Sequence, residues 1–328
     1  MLVYAFRRMG QALLVLFALT VLVFVGVWMI GNPADALISP DASMAEREAA
    51  IRALGLDKPL WQQYLDFVGG LMQGDFGNSF IYREPVTQIL ASRLGASLEL
   101  AFAAFVLAVG ISVPLGLYAG LYPDTRLSQA IMGFSLIGVS IPQFWQGMVL
   151  IILFGIWLAV LPVGGRGDTA TVFGITSSLF TLDGLMHLLL PAVNMALLKM
   201  SLLIRVTRAA VMEVKGLDYV RFARAKGVRP YRIVTKHILG NIMLPLLTVL
   251  GIEIGNLVAY AVITETVFSW PGLGRLLISS IQVLDRPVII AYLCFTALLF
   301  IVLNLIVDIL YTVVDPRVRD AIHSGGAK

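Results

Sequence analysis

Charge is scarce in this 328-residue chain: 20 acidic and 24 basic residues make up 13% of it, against 59% hydrophobic residues. A water-facing surface cannot be built from so few charges, which excludes a chain of one or two soluble domains. The mean hydropathy of +0.88 points the same way. Cysteine is almost missing. The single Cys294 lies in an apolar run, so an intrachain disulfide is excluded and the thiol reads as a small buried hydrophobe. The three histidines, His187, His237 and His323, stand far apart in sequence, so no metal site is expected. No G-x-x-x-x-G-K-[ST] occurs, so the chain has no P-loop for nucleotide. Gly138-Val139-Ser140 falls short of G-x-S-x-G and lacks triad partners, which argues against an intramembrane serine enzyme. Fixed-period repeats and low-complexity tracts are also absent.

What is present is a set of long apolar runs. Six of them, at 10–30, 97–121, 131–162, 185–204, 241–265 and 288–314, can cross about 30 Å of hydrocarbon as helices. Continuous runs argue against an outer-membrane barrel, whose strands alternate. The expected fold is therefore all-α: a polytopic membrane protein with about six transmembrane helices. Residues 1–96 hold the first helix and an extended outer segment, and residues 97–328 form a five-helix core. The third run contains Pro142, but too few apolar residues precede it for a separate span, so it reads as one tilted or kinked helix. Arg7 and Arg8 precede the first run as in a signal peptide. Its length, and the lack of a small-x-small site in Gly31-Asn32-Pro33-Ala34-Asp35, favour an uncleaved span.

Basic residues are distributed unevenly. Fifteen fall at the N-terminus, in 122–130, in 205–240 and in the tail; Arg166, Arg275 and Arg286 are the three in the opposite short loops. The positive-inside rule then places both termini and 205–240 in the cytoplasm. The same crowding explains the positive charge without nucleic acid. In the outer segment, Met44 to Leu54 reads as a short helix stopped by Gly55. Pro59 to Phe67 has apolar residues at helical spacing, with Trp61 and Tyr64 as interfacial anchors, until Gly69, Gly70, Gly74 and Gly77 break the pattern.

Residues 205–240 are longer than a connector requires. Asp218 can cap a helix from Tyr219 to Lys226, Gly227 suits a left-handed stop, and Pro230 suits the first turn of a further helix. Arg224 and Lys226 then sit at the favourable end of the helix dipole. Phe222 with Ala223 and Ala225 forms a knob that a partner's groove can accept; a basic loop lying on lipid headgroups is the other reading.

The run Ala223-Arg224-Ala225-Lys226-Gly227, followed by His237 and Asn241-Ile242-Met243-Leu244-Pro245, resembles the loop that binding-protein-dependent ABC permeases of the dipeptide, oligopeptide and nickel group present to their ATPases. Further similar stretches run nearly end to end: Leu56-Asp57-Lys58-Pro59-Leu60, Gly74-Asp75-Phe76-Gly77-Asn78-Ser79, Glu265 to Gly274, Asp285-Arg286-Pro287-Val288, Tyr311 and Asp315-Pro316-Arg317. The wider ABC-permease pattern Glu-Ala-Ala-x-x-x-Gly is kept only in part, since Arg221 and Phe222 replace its first two residues. The interval from Gly227 to Leu244-Pro245 also exceeds that of sugar permeases.

The resemblance implies a bacterial inner-membrane permease subunit, not itself an enzyme, that imports peptides or similar small polar solutes, nickel being the alternative. It implies a homologous second permease subunit, usually in a heterodimer, and an extracytoplasmic solute-binding protein. Two cytoplasmic ATPases would hold the ATP and Mg that this chain does not. Tyr219, Phe222, Ala223, Arg224, Ala225, Lys226 and Gly227 would form the coupling helix. A secondary carrier fits less well, because inverted repeats are not evident and the basic loop would have no role. A channel would have no use for that loop either.

Polar residues inside the spans add candidates. Glu253 is costly in lipid and must face protein or water; with Asn256 on the same helical face it either lines the solute path or packs helices, pairing with a donor on a neighbouring subunit. Gln143 and Gln146 beside Pro142 are further path candidates. Lys199 and Asp308 are expected to snorkel towards the cytoplasm, and Glu99 and Glu265 to sit near the outer boundary. Glu265, Trp270, Pro271 and Gly272 mark a candidate outer gate, where Leu273, Leu276, Leu277 and Ile281 predict a short helix; a plain interfacial anchor is the other reading of that helix.

Overall fold

The computed structural model describes the backbone of residues 2–30, 43–53, 55 and 57–314. Side chains are described there except at 2–9, 11–13, 27, 28, 30, 47, 50, 53, 244, 254–256, 258–260 and 304–314. The expected features at Gly31 to Asp35, Leu56, Asp308, Tyr311, Asp315 to Arg317 and His323 lie outside the described residues or side chains. The chain forms two compact units, one of Met1–Ser97 with Pro271–Val302, the other of Leu98–Trp270 with Leu303–Lys328.

In the first unit, helix α1 (Leu2–Ile30) is followed by α2 (Met44–Ala53) and α3 (Leu60–Met72). Ser43 and Glu46 close a reciprocal capping box at α2, and Gly55 stops it with φ +65°. Tyr64 is not an outward anchor. Its hydroxyl lies 3.0 Å from Thr20 Oγ1 and its ring packs edge-on to Phe24 at 5.4 Å, because α3 offers its aromatic face to α1. Trp61 remains exposed. Helix α3 also runs through Gly69 and Gly70 to Met72. Gly70 is needed there because a Cβ would lie 2.8 Å from Asp75 O. Val23 of α1 packs on Ile289 of α12 (Arg286–Val314), with Leu277 of α11 (Leu273–Gln282) alongside.

The second unit contains most of α4 (Val86–Leu121), then α5 (Arg126–Ser140) and α6 (Gln143–Leu150), which continues as a π-helix over Ile151–Trp157. A hairpin, β1 (Ala170–Val172) with β2 (Ile175–Ser177), precedes α7 (Leu182–Lys215). After α8 (Asp218–Ala225) and α9 (Pro230–Arg232), a π-helix over Ile233–Leu239 leads into α10 (Gly240–Val267). Helices α4 and α7 approach each other closely. At Gly116 a Cβ would come within 2.5 Å of Thr207 Cβ, and at Gly120 within 2.6 Å of Val211 Cβ. This small-xxx-small pair is how spans gain packing where lipid supplies no hydrophobic drive.

Among the described residues, α4, α7 and Arg286–Leu303 of α12 are each long and apolar enough to cross a membrane, and two bent pairs bring the number to as many as five. The third apolar run, expected as one tilted or kinked helix, is broken into two helices at Pro142. Arg126–Ser140 and Gln143–Trp157 meet at 110°. Ile141, as the residue before a proline, is extended (φ −108°, ψ 129°), and Pro142 caps a new helix. The first half reaches back to Arg126 because Thr125 Oγ1 accepts the Ser128 N–H at 3.2 Å, a cap that hydrophobicity does not reveal.

Candidate functional site

The loop after α7 is a small folded platform. Helix α8 starts one residue earlier than expected: Asp218 is its first residue, not its cap, and Leu217 occupies the cap position with no side-chain bond. The C-terminal end is a Gly-stopped turn. Gly227 has φ +75°, its N–H donates to Arg224 O at 2.9 Å, and Val228 N–H donates to Ala223 O at 3.1 Å. Pro230 occupies the first turn of α9.

The two faces of α8 are chemically distinct. Val220 and Ala223 are buried in a cluster with Val211, Val214, Ile233, Ile238, Ile242 and Leu246. Ala223 therefore anchors the helix to its own chain and is not part of an outward knob. Phe222 is 61% exposed, and Arg224, Ala225 and Lys226 are exposed beside it. Lys226 Nζ lies 4.5 Å from the Phe222 ring centroid, a cation–π contact that leaves the ring presented outwards. Tyr219, whose hydroxyl pKa is raised by burial, donates to His237 O at 3.3 Å. Lys215 Nζ donates to Leu121 O at 2.5 Å, tying the last turn of α7 to the last carbonyl of α4.

Inside the spans, several polar groups find partners within the chain, although Thr207 Oγ1, Asn194 Oδ1 and Gln146 Oε1 are buried without a hydrogen bond. Lys199 does not snorkel. It is 6% exposed and forms an ion pair with Glu253, so the α7 ammonium and the α10 carboxylate neutralise each other. Glu253 points inward, and its donor lies in its own chain. The side chain of Asn256 lies outside the described residues. Gln143 Nε2 donates to Thr264 Oγ1 at 2.8 Å, and Asn194 Nδ2 donates to the same oxygen at 3.0 Å. Gln146 is buried, and its Nε2 reaches Gly138 O at 3.2 Å and Ile141 O at 3.0 Å. It thus satisfies carbonyls freed where the helix breaks.

Glu99 and Glu265 are buried too, at 7% and 0% exposure. Glu99 receives Arg166 Nη2 at 2.5 Å and the N–H and hydroxyl of Ser178, which fastens the hairpin base to α4. Trp270 is fully buried, and its N–H donates to Glu265 O at 2.8 Å. Gly272, following Pro271, forms the cap position of α11, and Leu273 N–H donates to Ser97 Oγ at 2.8 Å. Among the described residues, no three His, Cys, Asp or Glu side chains are grouped to hold a metal. Sequence reasoning missed the roles of Lys199, Asn194, Thr264 and Arg166. Only Lys199 carried a signal, as an opposite charge in another span.

Residues 112–320 match the family described as binding-protein-dependent transport system inner membrane component, and residues 1–101 match its N-terminal membrane component. The dipeptide transport system permease protein DppB of Escherichia coli K12 is 39% identical over 97% of this chain and 99% of its own length. The di/tripeptide permease DppB of Pseudomonas aeruginosa is 40% identical over 97% and 99%. The oligopeptide permease AppB of Bacillus subtilis is 38% identical over 96% and 99%. A chain of the inward-facing MetNI methionine ABC transporter shares the fold, with a TM-score of 0.53 at 16% identity over 70% of this chain and 97% of that one. The chain therefore belongs to the binding-protein-dependent transport system inner membrane component family, as a multi-pass permease of its dipeptide and oligopeptide group.

Proposed function

We propose that this chain is one of two membrane-spanning subunits of an ATP-driven importer that moves di- or oligopeptides, or similar small polar solutes, into the cytoplasm. The observation that carries this reading is the end-to-end similarity to permeases named for dipeptides, di/tripeptides and oligopeptides. The geometry of α8 supports it. A subunit without nucleotide chemistry must receive work through a contact, and α8 is anchored by Val220 and Ala223 while offering Phe222 outwards. Separate ATPases hold ATP and Mg and seat α8, a homologous second permease completes the path, and a solute-binding protein delivers cargo. Both termini and the α8 platform face the cytoplasm, in line with fifteen basic residues against three.

The test is reconstitution of the complete complex in proteoliposomes with labelled dipeptide outside. Uptake that needs both the binding protein and hydrolysable ATP is expected, with no hydrolysis by this chain alone. Peptide uptake that proceeds without ATP, or a periplasmic reporter signal from a fusion at Arg224, would contradict the reading.

A further inference from the structure

A cavity of about 360 Å³ lies within the unit of residues 1–97 and 271–302, away from α8 and from the polar groups of the spans in sequence. Its lining combines phenyl rings, among them Phe67, Phe76 and Phe80, with charges of both signs. Lys58 and Asp66 form a pair at 2.6 Å and remain about half exposed, with side chains at 46% and 56%. Asp75 and Arg286 supply the second carboxylate and the second cation.

Part of this lining is held in place by the chain itself. Asp75 N–H donates to Gly70 O at 2.9 Å, and Asp75 Oδ1 accepts the Gly77 N–H at 2.8 Å. The neighbouring Phe80 is fixed from Asp285, a fully buried carboxylate that accepts Phe80 N–H at 3.1 Å and Ser79 Oγ at 2.5 Å. The Ser79 hydroxyl oxygen in turn accepts Tyr82 N–H at 2.9 Å. One wall of this solvent-open cavity is thus prearranged.

A lone anion would meet two carboxylates here, a lone cation would meet two bases, and an apolar molecule would strip water from all four. A molecule carrying both charges matches both. Phenyl faces attract an ammonium group in addition. From this arrangement we infer that the cavity binds a zwitterion, with its ammonium at Asp75 among the rings and its anionic end towards Arg286 and Lys58. The same chemistry is offered by a short peptide, through its terminal carboxylate, and by a phosphatidylethanolamine headgroup, through its phosphate.

The experiment uses the full chain in an uncharged detergent. Equilibrium dialysis measures labelled alanyl-alanine, and native mass spectrometry measures phosphatidylethanolamine carried through purification. Asp75→Asn keeps an acceptor for Gly77 N–H, and Phe76→Leu alters a ring without touching charge; thermal melting verifies that both fold. Alanyl-alanine binding that weakens at least ten-fold on N-acetylation and in Asp75→Asn, with a smaller loss in Phe76→Leu, identifies the peptide source. Retained phosphatidylethanolamine that Asp75→Asn loses identifies the lipid source. The inference is overturned if neither zwitterion binds, if acetylating the amine changes nothing, or if Asp75→Asn holds the ligand as tightly as the parent chain. Uptake is not the readout, so failure here leaves the importer reading standing.

Discussion

The interior of α7 and α10 and the surface of α8 treat charge in opposite ways. Lys199 and Glu253 are drawn together until both are nearly dry, with side chains 7% and 11% exposed. On α8 and just beyond it, Arg221, Arg224, Lys226 and Arg229 stay exposed, and Arg221 pairs with Asp218 at 3.8 Å in open solvent. The Lys199 and Glu253 charges are balanced inside the subunit, whereas those of the platform are left exposed. The comparison supports the proposal that the platform meets a partner, and it shows Glu253 already paired within its own chain.

The sharpest way to break this contrast is to unbalance the interior. Glu253→Gln leaves the Lys199 ammonium buried without its counter-charge and should cost about 3–5 kcal/mol. The double variant Glu253→Gln with Lys199→Met should recover most of that loss. Thermal melting in micelles checks both. A single variant as stable as the parent chain would mean that water or another group reaches Lys199.

Next in size is the exposed ring. Phe222→Ala should leave this subunit's own melting unchanged but remove about 2–3 kcal/mol of apolar burial on assembly with the ATPases. The loss of any one rim arginine should cost about 1 kcal/mol or less. Binding of ATPase to the immobilised permease, measured for each variant, ranks them. Equal effects for Phe222→Ala and Arg229→Ala would show that the contact is electrostatic.

How far the sequence was legible depended on range. The α8 platform was readable because its signals are local: Gly227 takes φ +75° where a stop was expected, and Pro230 opens the next turn. The start and the face were misjudged: Asp218 opens the helix and does not cap it. Helical spacing puts Ala223 beside Phe222 in sequence but cannot say which side meets the Ile238 and Ile242 cluster. The Lys199–Glu253 pair joins residues two helices apart, and nothing in one sequence specifies that register. The break at Pro142 was visible as a residue, yet the apolar run hid that α5 begins at Arg126 on a Thr125 cap. The hairpin at 170–177 was too short to leave a period-2 pattern.

A smaller effect is expected at Gly227. Gly227→Ala should cost about 1 kcal/mol, because φ +75° crowds a Cβ. Open space around that position means that strain alone is being tested. Melting of the full chain measures it, and an unchanged midpoint would show that the stop relaxes.

The smallest effect belongs to α2. The Glu46 carboxyl is held below its ordinary pKa by the Ser43 backbone N–H first and the Ser43 hydroxyl second. Its contribution is therefore complete above the ordinary carboxylate pKa and is lost as pH falls through the lowered folded value. Glu46→Gln should remove that pH dependence from the amide-exchange protection of α2, and persistence of the dependence would assign it to another group.

The two-faced platform itself is tested most directly by two cysteines of identical parentage. In a Cys294→Ala background, Ala225→Cys lies on the exposed face of α8 and Ala223→Cys lies on the buried one. Each is treated with a short thiol crosslinker in the assembled complex. Crosslinking to the ATPase from position 225 and protection at position 223 is the predicted result. Efficient crosslinking from 223, with none from 225 in any nucleotide state, would contradict it.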